Sequence, residues 1–531
     1  MSVTWSSGDP WSLVAAPPDS EPEAIMVQSH PIHSVLLAFL ILVVWVSPSA
    51  LQAQSAPTSL EAAIESITDE TILSHLSVLA SDQLRGRNTP SAGLETAASY
   101  LADRHLSYGL EPAGASGTFF QRYPFGLMGP DPDNAQVTFV GPGGSVEVRV
   151  GRDAFIEGGS DTFLDGPLTF TRFTSGTQPQ PGSMGGEIAV FSLPGAWGQS
   201  LWQSSLEQAD FARTSGAVAV VHILDSEFPA SVIRQLGSSL AQPRWRLGGD
   251  AFLPRLFVRS RAIEGVIPGG APWARATLRA QLPLNVVNDA TPPNVLAELP
   301  GSDPELRDEY IVLSAHFDHV GVGRPIDGDS IYNGADDNGS GTSALLEVAR
   351  VLASLPTAQR PRRTVVFAHV SAEEKGLLGS EWWVDHPTRP IENVIANINT
   401  DMISGDTHPD TIAVLGMEYS SLGPLILAIN RARPELRLAT VPDMWPEEGL
   451  FFRSDQLNFM REDIPSIFLF AGLHDCYHQP CDDLDFVNPD KASRVARLLA
   501  YTVLEIANSD SRPEWEADGL REVRRLISGG R

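Results

Sequence analysis

Five side chains of metal-binding type lie in chain order near the ends of strand-like segments: His316, Asp337, Glu374, Asp401 and His478. A further carboxylate, Glu373, immediately precedes the third of them. Two histidines and three carboxylates are a ligand set for two zinc-like ions that share one bridging carboxylate. The additional glutamate is the proton carrier that such a site needs. The residue types therefore predict metal-assisted acid–base chemistry.

The bridging position falls in the glycine-rich segment 333–341, where the backbone can turn tightly and approach a bound group. Asp337, at the mouth of the helix that follows, has two oxygens with which to bridge two cations. Its neighbour Asp336 is a rival for that role. A solvated acidic turn explains this segment equally well when it is considered alone.

The other motifs are also ambiguous one by one. Glu373 and Glu374 repel each other unless cations neutralise them, but acidic residues also favour the first turn of a helix. Asp318 follows His316 by two residues, which places it to shape the turn or to orient the imidazole. The set as a whole is therefore more informative than any single motif.

Strand-like and helical segments alternate around these residues from about position 286 onward. Alternation of this kind predicts a three-layer α/β fold with a mainly parallel mixed sheet flanked by helices. Ligand sites in such sheets lie beyond the carboxyl ends of the strands, where every candidate ligand falls. The segments are strands at 310–315, 364–368, 394–398 and 465–470 and a helix at 342–353.

The first half of the chain divides into two regions of different character. Helical spacing of apolar residues predicts helices at 72–79, capped by Thr68, and at 92–106, joined by a loop with two arginines. Residues 126–285 form a turn-rich α/β or β-rich insert without a metal-ligand cluster. Its expected elements are strands at 135–140, 146–150, 187–191 and 217–221 and a helix at 206–215.

We therefore expect five parts. They are an N-terminal extension with a leader (1–55), a helical part of the catalytic domain (56–125), the insert (126–285), a catalytic core (286–510) and a polar, peripheral tail (511–531).

Composition excludes some partners. The 531 residues are 42% apolar, so a packed core is expected. The 65 acidic residues outnumber 37 basic ones, for a formal charge of −28. Nucleic acids and anionic membrane surfaces are therefore poor partners, because binding either begins with positive charge.

The apolar run 34–46 predicts a secretory leader. It is shorter than the roughly 20 residues of a membrane span, and small residues typical of a cleavage region follow it. Two features oppose this interpretation, because 33 residues precede the run and none of them is Lys or Arg. A start at Met26 would give a leader of normal length. We expect export, without stable membrane association after leader removal; a membrane anchor is the alternative.

The only two cysteines, Cys476 and Cys481, bracket His478. Export would permit a disulfide between them, which would stiffen the loop that carries a candidate ligand. The alternatives are two free thiols or, less in keeping with a ligand set that is already complete, two further metal ligands.

The motifs together resemble metallopeptidase family 28, the co-catalytic zinc aminopeptidases whose relatives include glutamate carboxypeptidase and the transferrin receptor. The similarity covers about 60–125 and 286–505, and the insert resembles a protease-associated domain. The matching motifs are His316-Phe-Asp318, Gly334-Ala-Asp-Asp337, Ala372-Glu-Glu374-Lys-Gly, Asp401-Met and Tyr477-His478.

The resemblance implies two zinc ions, with the native metal left open. It places one metal on His316, Asp337 and Asp401 and the other on Asp337, Glu374 and His478. It makes Glu373 the general base and Asp318 the residue that orients His316. The implied reaction is hydrolysis of peptide bonds in peptide or protein substrates.

Aminopeptidase activity is the first expectation, because acidic groups beside the metals suit a free substrate amine. The alternatives are a carboxypeptidase or dipeptidase, with Arg453 as a candidate for the substrate carboxylate, or a receptor-like protein without catalysis. A glutaminyl-cyclase-like transferase fits less well, since it needs only one metal and no His316. Gln456 stands where many relatives have histidine, which puts a contact near the site in doubt.

Several further residues have two possible roles. Four aromatic residues before the last strand either line a side-chain pocket or pack in the core: Trp445, Phe451, Phe452 and Phe459. His319, His369 and His474 lie near ligands in the sequence and are expected to support the site or the fold rather than bind metal.

Overall fold

The computed structural model describes residues 59–529 except 159, 175–176, 178, 194–198, 226–227, 249–252, 268–272 and 406. The predicted leader at 34–46 lies outside the described residues. No helix within the described ranges is long and apolar enough to cross a membrane.

The N-terminal region contains the helices that the periodicity predicts, and it also contains two short strands that were not predicted. Thr68 caps the second helix, since its hydroxyl accepts a hydrogen bond from the amide of Thr71. The third helix ends at Gly109, which adopts the left-handed conformation that favours glycine (φ 81°). The elements are α1 (Leu60–Glu65), α2 (Asp69–Leu79), α3 (Ala92–Tyr108), β1 (Glu111–Pro112) and β2 (Phe120–Arg122).

The insert contains eleven strands and three helices among its described residues. The strands are β3 (Phe125–Pro130), β4 (Gln136–Gly141), β5 (Gly144–Glu147), β6 (Ala154–Glu157), β7 (Ser160–Phe170), β8 (Ile188–Ser192), β9 (Ala219–Leu224), β10 (Arg244–Leu247), β11 (Arg255–Arg259), β12 (Thr277–Leu282) and β13 (Leu284–Ala290). The helices are α4 (Gln199–Thr214), α5 (Ala230–Leu240) and α6 (Ser260–Ile263).

Two sheets organise these strands. Eight strands form a sheet in the order β5-β4-β12-β7-β8-β9-β11-β6, with parallel pairing between β7, β8, β9 and β11. The remaining three form the sheet β10-β3-β13. The four strands and the helix predicted in this region are all present, although β5 begins and ends before the predicted 146–150.

The rest of the chain forms the strands and helices that surround the candidate ligands. The strands are β14 (Pro293–Leu299), β15 (Tyr310–His316), β16 (Gly321–Ile326), β17 (Asp329–Tyr332), β18 (Thr364–Val370), β19 (Val394–Thr400), β20 (Thr411–Leu415), β21 (Ala439–Val441) and β22 (Ser466–Phe470). The helices are α7 (Gly341–Ser354), α8 (Leu378–Asp385), α9 (Leu422–Arg431), α10 (Gln456–Arg461), α11 (Pro489–Asn508) and α12 (Gly519–Gly529).

A nine-stranded mixed sheet is the centre of this region. Its order is β1-β14-β18-β15-β19-β22-β20-β21, with β2 paired to β14. The central strands β18, β15, β19 and β22 run parallel, and antiparallel pairs join β14 and β20 to them. The predicted fold class, a mainly parallel mixed sheet flanked by helices with a smaller insert, is confirmed.

Two apolar cores cover the two faces of this sheet. Along β15, Ile311 and Leu313 belong to the core that contains side chains of α2, α7 and α11. Val312 points to the opposite face and packs in the core with Trp383 of α8 and Phe459 of α10. This alternation follows from the two-residue period of a strand, and it produces a helix–sheet–helix arrangement.

The C-terminal tail differs from the prediction that it is peripheral. Val523 in α12 is fully buried, and Ile527 and Trp515 pack against the same core as Phe468 of β22. The indole Nε1 of Trp515 also donates to the backbone oxygen of Asp463 at 2.6 Å. The tail is rich in charged residues, but Val523 and Ile527 are four apart and therefore lie on one helical face.

Candidate metal centre

The candidate ligands gather at one edge of the nine-stranded sheet because most of them follow the carboxyl ends of parallel strands. His316 is the last residue of β15, and Asp401 directly follows β19. Glu373 and Glu374 lie in the turn beyond β18, and Asp337 lies in the loop that leads into α7. The carboxyl edge of a parallel sheet brings these side chains together.

Two imidazoles face the two oxygens of one aspartate. Nε2 of His316 lies 3.4 Å from Oδ1 of Asp337 and 3.2 Å from Oδ1 of Asp401. Nε2 of His478, in the loop between β22 and α11, lies 3.2 Å from Oδ2 of Asp337 and 3.1 Å from Oε2 of Glu374. The structure thus brings all five predicted ligands together, with Asp337 between two adjoining donor groups.

The donor set fits divalent cations. Two groups of side chains have donor atoms that all lie within 4.8 Å of one another: His316, Glu373 and Asp401 form one, and His319, Asp337, Glu374 and His478 form the other. Four carboxylates of the centre are buried: Asp337, Glu373, Glu374 and Asp401. Burying so much negative charge is costly unless cations neutralise it. Imidazole nitrogens and carboxylate oxygens are the ligands that zinc takes in hydrolytic sites.

His319 is closer to the donor atoms than the sequence suggests. Its ring is fully buried, and its Nδ1 lies 2.9 Å from Oε1 of Glu374 and 3.7 Å from Oδ2 of Asp337. Nδ1 of His319 and Oε1 of Glu374 nevertheless lack the angles of a hydrogen bond, and neither has another partner among the described residues. Two donor atoms this close but not bonded to each other are arranged as ligands of one ion would be. The repeated histidine in 316–319 is the sequence signal for this arrangement.

The electrostatics of the second group follow from these contacts. Burial lowers the pKa of His478, but the carboxylates of Glu374 and Asp337 outweigh it and raise that pKa to about 11. The imidazole without a cation is therefore protonated and paired with the carboxylates. A metal ion held by His478 would take the place of that proton, and its binding would release the proton.

Glu373 belongs to the group with His316 and Asp401, but it makes no close contact with the imidazole. Its Oε2 is 4.0 Å from Nε2 of His316, and its side chain is almost completely buried. Burial raises the pKa of Glu373 well above its usual range; His316 opposes this, while Glu374 and Asp401 raise it further. A carboxyl group with a raised pKa is suited to accept and return a proton near neutral pH.

Asp318 contacts both His316 and the turn that carries Glu373. Nδ1 of His316 lies 3.2 Å from the backbone oxygen of Asp318 and 3.8 Å from its carboxylate Oδ1. The same Oδ1 accepts the backbone N–H of Glu373 at 3.2 Å, and Oδ2 accepts the hydroxyl of Thr89 at 2.9 Å. Burial raises the pKa of Asp318 to about 6, although His316 opposes this. The backbone oxygen of Asp318 is thus nearer to the His316 imidazole than the Asp318 carboxylate is. The carboxylate instead holds the turn that carries Glu373.

Asp336, the rival for the bridging role, points away from the imidazoles of the centre. Its Oδ1 accepts from the hydroxyl of Ser340 at 2.9 Å and from the amide and hydroxyl of Ser404 at 2.8 and 2.7 Å. The backbone amides of Asp336 and Asp337 donate to the two oxygens of Asp482 at 2.8 and 3.0 Å. Asp336 therefore holds the loop in place while Asp337 faces the donor groups.

The loop that carries His478 is closed by a disulfide between Cys476 and Cys481, with 5.3 Å between their Cα atoms. Of the three arrangements that the sequence left open, the structure shows the disulfide. His478 has φ of 53°, a conformation unusual for a residue other than glycine. The disulfide and Asp482 together fix the short segment around this ligand.

Gln456 is buried behind the site. Its Oε1 accepts from Nδ2 of Asn399 at 2.8 Å, and its Nε2 donates to the backbone of Phe451. Nδ2 of Asn399 also donates to Ser454, whose hydroxyl donates to Oδ2 of Asp401 at 2.8 Å. Gln456 thus supports a ligand through a chain of hydrogen bonds and does not line a substrate path.

The remaining candidates are mainly structural. Phe451 and Phe459 are buried in two different cores, whereas Trp445 and Phe452 are only partly buried. His369 is buried, and its Nε2 lies 2.9 Å from Nε2 of His105. Nε2 of His474 lies 3.3 Å from Oδ2 of Asp336, and Arg453 is half-buried.

Comparison with known proteins agrees with this geometry. Residues 294–503 match the family described as peptidase family M28. The similarity to peptidase family M28 is confined to this part of the chain. The matched region includes every ligand candidate from His316 to His478.

Three curated relatives are similar over part of their length. Leupeptin-inactivating enzyme 1 of Streptomyces exfoliatus is 28% identical over 243 residues, which cover 40% of this chain and 48% of the relative. Aminopeptidase Y of Saccharomyces cerevisiae is 29% identical over 43% of this chain and 42% of its own length. Aminopeptidase YwaD of Bacillus subtilis is 26% identical over 39% of this chain and 43% of its own length. The match thus spans less than half the length of each of these relatives.

Solved structures are similar at lower identity. A zinc aminopeptidase of Bacillus subtilis, BSAP, is 18% identical with a TM-score of 0.45, covering 84% of this chain and 96% of its own. An aminopeptidase of Aneurinibacillus sp. strain AM-1 is 17% identical with a TM-score of 0.44, and the match covers 86% of this chain and 97% of that one.

Proposed function

We propose that this protein is a zinc-dependent aminopeptidase with a pair of metal ions that share Asp337. The observation that carries the proposal is the position of Asp337, whose two oxygens face the imidazoles of His316 and His478. The family of the matched region and the names of its relatives, several of them aminopeptidases, support the same activity.

The residues divide into two ligand sets under this proposal. His316, Asp337 and Asp401 would hold one zinc ion, and Asp337, Glu374 and His478 would hold the other. When bound, the zinc ions would polarise the substrate carbonyl and lower the pKa of the attacking water. His319, whose Nδ1 lies 2.9 Å from Oε1 of Glu374 without a hydrogen bond, is available to the second set as a further ligand.

Glu373 carries the protons of the reaction. Its carboxylate takes a proton from the attacking water as the water adds to the peptide carbonyl, and it then delivers that proton to the leaving amine. Burial of Glu373 excludes competing proton acceptors from solvent. Asp318 accepts the Glu373 amide through Oδ1 and thereby fixes the backbone from which this side chain extends.

The excess of carboxylates favours a substrate with a free α-amino group. Two zinc ions would offset the four buried carboxylates of the centre, but the chain as a whole has a formal charge of −28, which attracts a protonated amine and repels a substrate carboxylate. This electrostatic preference separates an aminopeptidase from a carboxypeptidase or dipeptidase on the same fold.

The test combines metal content with paired substrates. The full chain, purified and loaded with zinc, is assayed on aminoacyl-4-nitroanilides, on the same anilides with an acetylated amine, and on N-blocked peptides with a free carboxylate. We expect about two zinc ions per chain and hydrolysis of the free-amine substrates alone. Hydrolysis of only the N-blocked peptides would establish the carboxypeptidase alternative. Absence of zinc and of all hydrolysis would refute the enzyme and leave a receptor-like binding protein.

We further propose that the insert is a protease-associated-type domain and that the protein is exported. The repeated parallel pairing of β7, β8, β9 and β11 supports the first proposal, and the Cys476–Cys481 disulfide supports the second, since disulfides persist in oxidising compartments. Fractionation of expressing cells, with N-terminal sequencing of the mature chain, tests export: recovery of uncleaved chain in the cytoplasm alone would contradict it.

A further inference from the structure

The segment 85–89, between the first two long helices, contacts the loops of the metal centre. The sequence marks it only as a loop with two arginines. Arg87 is fully buried, and its guanidinium donates to the backbone oxygens of Phe317 at 2.8 Å, Asn333 at 2.6 Å and Gly334 at 3.0 Å. A side chain from residue 87 thus joins the loops that lead to Asp318 and to Asp337. The segment is part of the scaffold of the centre, although it lies far from the ligands in the sequence.

The turn that carries Glu373 has an unusual backbone. Ala372 adopts the left-handed conformation, with φ 57° and ψ 30°, which residues other than glycine rarely take. Such a conformation persists only when the surrounding structure holds it in place. The three consecutive amides at 371–373 each donate to a side chain from another segment. Their acceptors are Asn294 Oδ1 at 3.1 Å, Thr89 Oγ1 at 3.1 Å and Asp318 Oδ1 at 3.2 Å.

Thr89 is the residue that connects two of these supports. Its hydroxyl accepts the amide of Ala372 and at the same time donates its own hydrogen to Oδ2 of Asp318 at 2.9 Å. The other oxygen of Asp318 accepts the amide of Glu373. Thr89, Asp318 and the turn therefore form a closed ring of three hydrogen bonds, and all of the side chains in it are buried.

We propose that Thr89 is a positioning residue for Glu373, acting through one hydroxyl that holds both the Ala372 amide and the Asp318 carboxylate. This inference rests on the proposed peptidase function. Without the hydroxyl, the buried Ala372 amide has no acceptor from this segment and Asp318 loses a donor. The turn can then leave its strained conformation, and Glu373 is no longer aimed at the substrate. Glu374, a proposed ligand, follows Glu373 in the same turn, but its carboxylate also contacts His319 and His478. The other four ligands come from other loops, so we expect the metal content to be retained.

The experiment compares Thr89→Val, which keeps the shape but removes the hydroxyl, with Thr89→Ser, which keeps the hydroxyl. Thr502→Val is the matched control, because Thr502 is equally buried but donates to Leu498 in α11. Thr89→Ala, which adds no volume, replaces the valine variant if that variant does not fold. Each full-length protein is loaded with zinc, and kcat, KM, zinc content and hydrogen–deuterium exchange of the 371–374 peptide are measured.

We expect Thr89→Val to lower kcat by about 10- to 100-fold, the range typical of residues that hydrogen-bond the groups around a metal site. KM should change by less than about twofold. Zinc content should equal that of the wild type, exchange at 371–374 should be faster, and Thr89→Ser should recover kcat to within about threefold. The control should keep wild-type kcat. A wild-type kcat in the valine variant, an equal loss in the serine variant, or zinc loss in proportion to activity would each overturn the proposal.

The exchange measurement separates this inference from the proposed function. If the zinc-loaded wild type cleaves no aminoacyl anilide, the proposed function fails. Exchange then decides the role of Thr89: equal exchange in Thr89→Val and wild type overturns it, whereas faster exchange confined to 371–374 supports its hold on the turn.

Discussion

Replacement of Glu373 by glutamine is the sharpest test of how the centre works. Glutamine has nearly the same shape as glutamate, and the bond from the residue 373 amide to Asp318 belongs to the backbone and persists. The nearest imidazole nitrogen, on His316, is 4.0 Å away, so no close ion pair is broken. The substitution thus removes the proton acceptor and little else. General acid–base catalysis contributes about 10²- to 10⁴-fold, so kcat should fall by that factor, or by roughly 3–5 kcal/mol in activation free energy.

The same substitution should stabilise the metal-free protein at alkaline pH. Burial raises the pKa of Glu373 well above its usual range, and the carboxylates of Glu374 and Asp401 contribute. An acid whose pKa is raised by folding does not oppose folding below its unfolded pKa, but it opposes folding increasingly as the pH rises toward the folded value. Glutamine removes this effect. The chelated variant should therefore be more stable than the chelated wild type near pH 8 and equal to it near pH 4.

The assays are steady-state hydrolysis of leucine-4-nitroanilide, zinc analysis, and denaturant unfolding of the chelated proteins at the two pH values. Glu347→Gln is the control, because Glu347 is also a buried carboxylate but pairs with Arg350 in α7, outside the centre. The control should lose stability and keep kcat. Turnover of the Glu373 variant within about tenfold of the wild type, or loss of its zinc, would refute the role given to this residue.

Three further predictions follow from the same contacts. Asp337→Ala should lose both zinc ions and Asp401→Ala only one, as measured by elemental analysis after gel filtration; equal loss in the two would contradict a shared ligand. Serine in place of both cysteines of the 476–481 disulfide should weaken zinc binding by about 10- to 100-fold, because the ligand loop is no longer closed; an unchanged affinity in chelator competition would contradict this. Burial raises the pKa of Glu347, but Arg350 and a neighbouring histidine lower it from 4.5 to about 2, a difference of about 3 kcal/mol. Glu347→Gln should therefore be less stable at pH 7 by up to that amount, and the deficit should disappear as the pH falls from about 4.5 toward 2; denaturant titrations that show a pH-independent deficit would contradict it.

The fold was predictable because its signals are local. The apolar run 310–315 is long enough for a strand buried on both faces, and it does form β15, which ends at His316. The helix predicted at 342–353 is α7, because its apolar residues repeat with helical spacing. Ligands at the ends of parallel strands must meet at one edge, so their gathering required no knowledge of loop conformation.

The unpredicted features depend on contacts between distant segments. Thr89 and Ala372 are 283 residues apart in the sequence, and no spacing rule marks that pair. His319 reaches Glu374 only because the loop after β15 turns back toward the centre. The tail packs because Val523 and Ile527 share a helical face, a signal too short to stand out among many charged residues.

The ring of hydrogen bonds at Thr89 and the ligand loop at His478 together span most of the chain. A ribosome must therefore release nearly all of the polypeptide before the hydrolytic machinery can assemble. Truncated translation products that end before His478 lack one imidazole, and they are predicted to be inert toward peptides. Under the proposed function, peptide cleavage would therefore begin only in chains whose synthesis has passed His478.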